Sequence, residues 1–147
     1  MMKLNLGAGS RPKSGYVNLD KKAYKGIQVV HNLDIFPWPF DDESFEEIRA
    51  IDVFEHLIYF TEAMDECWRI LMPGGMLIIQ GPLAGSRNHY LDPTHRRGFL
   101  ADSLDMFDRS TQRGKKCAYG IGDWKILQKD EITAGKTILF KLRRGLR

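Results

Sequence analysis

Cysteine is almost missing from this chain of 147 residues: Cys67 and Cys117 are the only two, and neither stands in a Cys-x-x-Cys or Cys/His ligand spacing. A disulfide framework is therefore not expected, and no metal is assigned from the sequence. Long apolar runs are missing too, so no segment reads as a membrane span, and no charged stretch followed by an apolar core and a cleavage site opens the chain. The expectation is a cytoplasmic protein with no membrane partner. Charge of one sign is scarce, since the formal net charge is only +3. That is too little to indicate nucleic acid, although Arg109, Arg113, Lys115, Lys116, Arg143 and Arg144 gather in the last third, where a solvated strand edge accounts for them equally well. Internal repeats and low-complexity segments are absent. With 43% hydrophobic and 28% charged residues, residues 1–147 read as a single globular domain.

What is present begins at Lys3. Leu4-Asn5-Leu6 is a short apolar strand that runs into the turn Gly7-Ala8-Gly9-Ser10, and Tyr16-Val17-Asn18-Leu19 is a second strand ending on Asp20. Nucleotide-binding α/β domains open this way. Gly7 and Gly9, without a Cβ, let the chain turn sharply and let a ligand approach the backbone. Asp20, at the carboxyl end of its strand, can accept hydrogen bonds from both hydroxyls of a ribose. Pro12 stands where a dinucleotide fingerprint would have its third glycine, and no Gly-Lys-Ser/Thr follows the turn. Both observations count against phosphate-bearing ligands and leave a nucleoside such as S-adenosylmethionine. The competing structural reading is a glycine-rich turn with a surface aspartate.

The rest of the chain alternates in period. Ile27–His31 reads as a third strand, and Pro37 and Pro39 force a loop over Asp34–Asp42. Ser44–Ile51 leads into a fourth strand. Phe60, Met64, Cys67, Trp68 and Leu71 form the apolar stripe of a helix, with Thr61 as its N-cap, Glu62, Asp65, Glu66 and Arg69 facing away, and Pro73-Gly74-Gly75 as its stop. Met76–Ile79 is a central fifth strand. Leu100–Phe107 reads as a helix, and Trp124–Gln128 with Thr137–Leu142 as an antiparallel hairpin turning at Thr133–Lys136.

Four stretches in order resemble the class I S-adenosylmethionine-dependent methyltransferases, in the small branch known as type 11. They are the glycine-rich opening, Asn32–Ile48, the run Asp52-Val53-Phe54-Glu55-His56-Leu57, and Glu66–Ile79, and together they cover residues 3–82 well. The resemblance implies a doubly wound, Rossmann-like α/β sheet, mostly parallel with a C-terminal antiparallel hairpin, whose first helix is reduced. It implies S-adenosylmethionine as cofactor and methyl transfer to an unidentified acceptor. Gly7, Ala8, Gly9 and Ser10 would pass along methionine and ribose, and Asp20 would hold the ribose. Asp34 with the Ile35 backbone would read the adenine, and Asp52 and Val53 would complete the crevice. After the fifth strand, residues 81–97 form a long polar connection in which His89 and His95 are candidate acid/base groups on the acceptor side. Trp38 could flank the adenine or pack in the core, and His56 more often caps a helix or bonds a carbonyl than acts in chemistry. The reduced first helix leaves room for a homodimer that completes the site, or for a catalytically inactive nucleoside- or partner-binding module with the same fold. A nicotinamide-dependent oxidoreductase is a third alternative.

Overall fold

The computed structural model describes residues 1–146; Arg147, the last residue of the expected domain, lies outside the described residues. Seven strands form one sheet: β1 Met2–Leu6, β2 Val17–Asp20, β3 Val29–Val30, β4 Phe45–Ile51, β5 Leu71–Pro82, β6 Trp124–Ile132 and β7 Thr137–Arg144. Their spatial order is β3-β2-β1-β4-β5-β7-β6. The first five pair in parallel, whereas β7 runs antiparallel to β5 and β6 antiparallel to β7. The expected mixed sheet is present, and its hairpin is longer than the sequence indicated.

Strands near the middle are apolar because both faces are covered. Leu4, Leu6, Ile48, Ala50, Leu77, Ile79, Phe140 and Leu142 are all fully buried. Each such leucine or isoleucine contributes about 1.5–3 kcal/mol relative to an exposed one. Helix α1, Phe60–Ile70, covers the sheet with Ala63, Met64, Cys67 and Ile70 buried. Its two successors are short: α2 Arg87–Leu91 and α3 Gln112–Cys117.

Four local expectations are corrected. Thr61 does not cap α1; the helix starts two residues earlier, behind Tyr59, which offers no side-chain cap. Pro73-Gly74-Gly75 stops the helix but lies inside β5, where the pairing with β4 slips between Phe45 and Glu47. Leu100–Phe107 is not a helix. Only Asp105–Phe107 forms a 3-10 turn, because Leu104 and Phe107 are pulled into the core and Ser103 Oγ takes the Leu100 N–H. Residues 81–97, expected to be irregular, contain α2, whose first turn is capped by Ser86. Among the described residues no helix is long and apolar enough to cross a membrane.

No helix is found between β1 and β2. Asn18, almost fully buried in β2, does the anchoring instead. Its Oδ1 accepts from Asn5 Nδ2 (2.9 Å) and from the Lys13 N–H (2.7 Å), while its Nδ2 donates to the carbonyls of Lys13 and Tyr16, both at 3.1 Å. A single side chain thus satisfies the backbone of a loop that a helix would otherwise satisfy internally.

Candidate active site

In an open parallel sheet, ligands bind beyond the carboxyl ends of the strands where strand order reverses. Here that point lies between β1 and β4. Gly7 leaves β1 with φ +61°, and a Cβ there would collide with the Val53 side chain, so the two strand ends can approach only with glycine at position 7. Gly9 is also left-handed (φ +56°), and a Cβ there would meet nothing within 4 Å. Asp20 reaches back across β2, its Oδ2 accepting the Gly9 N–H at 2.9 Å and its Oδ1 the Lys22 N–H at 3.0 Å. Each oxygen keeps a lone pair for a further donor.

A cleft of about 280 Å³ opens over this point, lined by Gly7, Leu19, Asp20, Lys21, His31, Asn32, Leu33, Asp34, Asp52, Val53, His56 and Leu57. Of the residues expected to contact the cofactor, Gly7, Asp20, Asp34, Asp52 and Val53 line it. Ala8 lines a neighbouring cavity, and Gly9 joins through its bond to Asp20. Ser10 is exposed and lines neither. Ile35 lies outside the cleft lining, with its N–H donated to the Asn32 carbonyl at 3.0 Å and its carbonyl accepting from His31 Nε2 at 2.8 Å.

Asp34 has a second partner set. Its Oδ1 accepts the N–H groups of Ile58 (2.9 Å) and Tyr59 (3.1 Å), just ahead of α1. These are the N–H groups of the residue before the cap and of the cap residue itself, so Asp34 braces the approach to α1, whose own first-turn N–H groups have no side-chain cap. Asp34→Ala should therefore lower stability by about 1–2 kcal/mol in urea denaturation, with Asp34→Asn retaining most of it. An alanine variant as stable as the wild type would show that this brace carries no weight.

The loop carrying Asp34 is fixed from behind. Trp38 is buried in the core, its Nε1 donating to the Leu33 carbonyl at 3.0 Å, so it packs rather than flanks a ligand. Glu66 and Arg69, read as a solvated helix face, grip this loop. Glu66 accepts the Trp38 N–H at 2.7 Å, and Arg69 donates to the carbonyls of Phe40 and Trp38 and to Asp42.

Asp52 follows β4 with φ +56°, a left-handed conformation that aspartate tolerates better than most residues. Three cavities among the described residues share it. Beside the first cleft lies one of about 460 Å³ lined by Gly7, Ala8, Arg11, Lys13 and Asp52 among others. On the other side lies one of about 280 Å³ lined by Asp52, Glu55, His56, Pro82, Asn88, Leu91, Asp92, His95 and Thr137.

Glu55, in the 3-10 turn Phe54–His56, is fully buried, and neither carboxylate oxygen has a hydrogen-bond partner among the described residues. Burial pushes its carboxyl up to about 8, with the nearby charges of Asp52 and Asp92 adding to the effect. Beside it the His56 and His95 rings meet edge to face at 4.8 Å. Burial, then the His95 charge, hold His56 below its usual value. The Glu-His-Leu turn is tied down by Arg97, whose Nη1 donates to the carbonyls of Phe54 (2.7 Å) and Leu57 (2.8 Å). The Arg96 N–H donates to the Glu55 carbonyl at 2.8 Å. Together they fold residues 92–97 over the turn and bring His95 to the cavity. His89 is placed differently from the expectation. Its Nδ1 accepts the Gly85 N–H, its ring stacks on Tyr90 and packs against Gly98, and it lines none of these three cavities.

Residues 10–79 match the family model described as "Methyltransferase domain". Over that stretch, a little under half of the chain, the sequence is similar to this methyltransferase family. The chain is 28% identical over 120 residues, 79% of its length, to the Schizosaccharomyces pombe protein named sterol 24-C-methyltransferase erg6. It is 31% identical over 86 residues, 55% of its length, to a probable S-adenosylmethionine-dependent methyltransferase of Mycolicibacterium smegmatis. It spans only 30% and 33% of those two proteins. Its fold is similar to the crystal structure of a SAM dependent methyltransferase from Archaeoglobus fulgidus, at TM-score 0.67 and 12% identity, covering 97% of this chain and 85% of that one.

Arg97, as the tie on the Glu55 turn, and Thr94 carried no usable signal in the sequence; Glu55 was legible as part of the Glu-His-Leu run after the fourth strand, but not its burial without a partner. The only hint of that burial was its setting between Val53, Phe54 and Leu57, all apolar.

Proposed function

We propose that this chain binds S-adenosylmethionine and catalyses transfer of its methyl group to an acceptor seated against Asn88, Asp92 and His95. The observation that carries the reading is the sharing of Asp52 by three cavities at the point where strand order reverses. One cavity suits a nucleoside, one an amino acid and one an acceptor. In the first, Asp20 holds the ribose hydroxyls, and the second oxygen of Asp34 accepts from the adenine amine. In the second, Arg11 and Lys13 face the methionine carboxylate, Asp52 offers an acceptor to the amino group, and the backbone at Gly7 and Ala8 lets the ligand lie close. Bound there, the cofactor supplies an electrophilic methyl carbon on a sulfonium that is already a good leaving group. The protein's own part is then to align the acceptor and to exclude water. His95, which faces the third cavity, takes the acceptor-side role that the sequence divided between His89 and His95. The unpaired Cys67 and Cys117 fit a reducing compartment, and we place the protein in the cytoplasm.

Calorimetry with S-adenosylhomocysteine tests the reading. Asp20→Ala should weaken binding by about 1.5–3 kcal/mol, roughly 10- to 150-fold, because it removes charged hydrogen-bond acceptors and releases Gly9. Unchanged affinity would return Asp20 to a structural role. Failure of the wild type to bind would remove the proposal altogether, and binding without turnover of any acceptor would leave a nucleoside-binding module.

A further inference from the structure

The third cavity holds an arrangement that adenosyl binding does not use. Glu55 is completely buried with two unpartnered oxygens, and it lines the cavity together with His56 and His95. A Cβ on Gly81 would meet the Phe99 ring at 2.5 Å and lie 3.1 Å from Oε2, so glycine keeps the wall beside the carboxylate closely packed. Leaving a charged carboxylate buried without a partner costs several kcal/mol, so its native state needs a compensating positive group or a proton.

The hydrogen bonds of the two histidines fix which nitrogens are free. The hydroxyl of Thr94 donates its one proton to Asp92 Oδ1 at 2.7 Å, so it can only accept from His56 Nδ1, 2.9 Å away. His95 Nδ1 lies 3.1 Å from the His89 carbonyl, which also can only accept. In the neutral rings, both Nδ1 atoms therefore carry the proton and both Nε2 atoms present a bare lone pair. His56 Nε2 stands 3.9 Å from Glu55 Oε1. Glu55, His56 and His95 can each offer one donor atom with all three within 4.8 Å of one another. Outer partners that lock the tautomer and orientation of ligand histidines are what metal sites use.

We propose that Glu55, His56 and His95 bind a divalent first-row transition-metal ion, and that its open positions take the oxygen of a hydroxyl-bearing acceptor. Two imidazole nitrogens and one carboxylate oxygen suit zinc, cobalt or manganese rather than an all-oxygen calcium or magnesium site. Ligand bonds of about 2.0–2.2 Å require the three groups to draw together, through side-chain rotations of a half-buried pair of rings. The ion offsets the buried Glu55 charge. It also makes a coordinated hydroxyl easier to deprotonate, so the acceptor needs no separate general base. The hydroxyl proton passes to water, an oxygen lone pair forms the new bond to carbon, and the carbon–sulfur pair returns to sulfur. The products are a methyl ether and a neutral thioether. The acceptor half of the proposal rests on the methyl-transfer reading; the cation site does not.

The test uses the full chain freed of metal by chelation and dialysis, then titrated with Co²⁺ in the absence of any nucleoside. One equivalent should produce visible absorption bands of an ordered cobalt centre and raise the melting temperature. Glu55→Gln and His95→Asn should abolish the stoichiometric step. Thr94→Val, which touches no metal, should weaken it by about 10- to 100-fold through loss of the His56 tautomer lock. No bands with excess cobalt, or bands unchanged in the Glu55→Gln/His95→Asn double variant, would overturn the site. If both single variants fail to fold, Thr94→Val decides: undiminished cobalt affinity would overturn the proposal. Calorimetry with S-adenosylhomocysteine on the wild type keeps the two readings apart. Nucleoside binding without cobalt binding removes only the cation site, and cobalt binding without nucleoside binding removes the methyl-transfer reading and leaves the cation site standing.

Discussion

Glu55→Gln is expected to stabilise the metal-free protein above pH 8 and to flatten most of its loss of stability between pH 4.5 and pH 8. The sign follows from the raised carboxyl. Below the ordinary value of 4.5, folded and unfolded chains both hold the proton and Glu55 contributes no pH dependence. Above it the unfolded chain releases the proton while the folded chain retains it, so stability falls as pH rises until the folded value of about 8 is passed. A shift of this size amounts to about 4–5 kcal/mol across the window. Other groups face the same space. Asp52, Asp92, His95 and Arg97 act on Glu55 or His56 through their charges, and the lowered value of His56 opposes the trend by favouring the folded state as pH rises. The difference between wild type and Glu55→Gln isolates the carboxyl. Urea denaturation of both proteins in chelator across the pH series measures it. Parallel curves would mean that Glu55 is ionised in the fold.

The second large effect is expected at Asn18. Asn18→Ala leaves the Asn5 amide, the Lys13 N–H and the carbonyls of Lys13 and Tyr16 without their buried partner. The cost should be about 2–3 kcal/mol, since the buried Asn5 amide loses its partner outright and the half-buried backbone groups of Lys13 and Tyr16 lose theirs in part. Because the same loop carries Gly9 to Asp20, affinity for S-adenosylhomocysteine should fall along with stability. Denaturation and calorimetry on one preparation check both. A stability loss under about 1 kcal/mol would show that the loop holds without its anchor.

Where the sequence was readable, the information was local. Gly7, Gly9 and Asp20 are separated by a few residues and punctuate two short strands, and the stripe of α1 is carried by residues one turn apart. Where it failed, the deciding partner was distant. The brace ahead of α1 lies at Asp34, the grip on the Pro37–Pro39 loop at Glu66 and Arg69, and the tie on the Glu55 turn at Arg97. Leu100–Phe107 has helical spacing, but burial of Leu104 and Phe107 against the core outweighed a weak local preference. His89 and His95 look equivalent along the chain. They differ only because α2 turns one ring onto Tyr90 and leaves the other beside His56. The unpaired state of Glu55 is not a property of any segment; it exists only once the turn, Gly81 and the 92–97 stretch have come together.

Two arginines hold the walls of the site. Arg69 ties the loop that carries Asp34, with Glu66 and Asp42 pushing its already high pKa higher still, and Arg97 ties the turn that carries Glu55 and His56. Guanidinium groups stay charged at any pH a cell reaches. Of the groups they hold, the Glu55 carboxyl, pushed up to about 8 by burial, does change charge near neutrality. The molecule therefore separates its scaffolding from its sensing. Acidity can reset the charge at the centre of the cleft while the walls around it keep their shape.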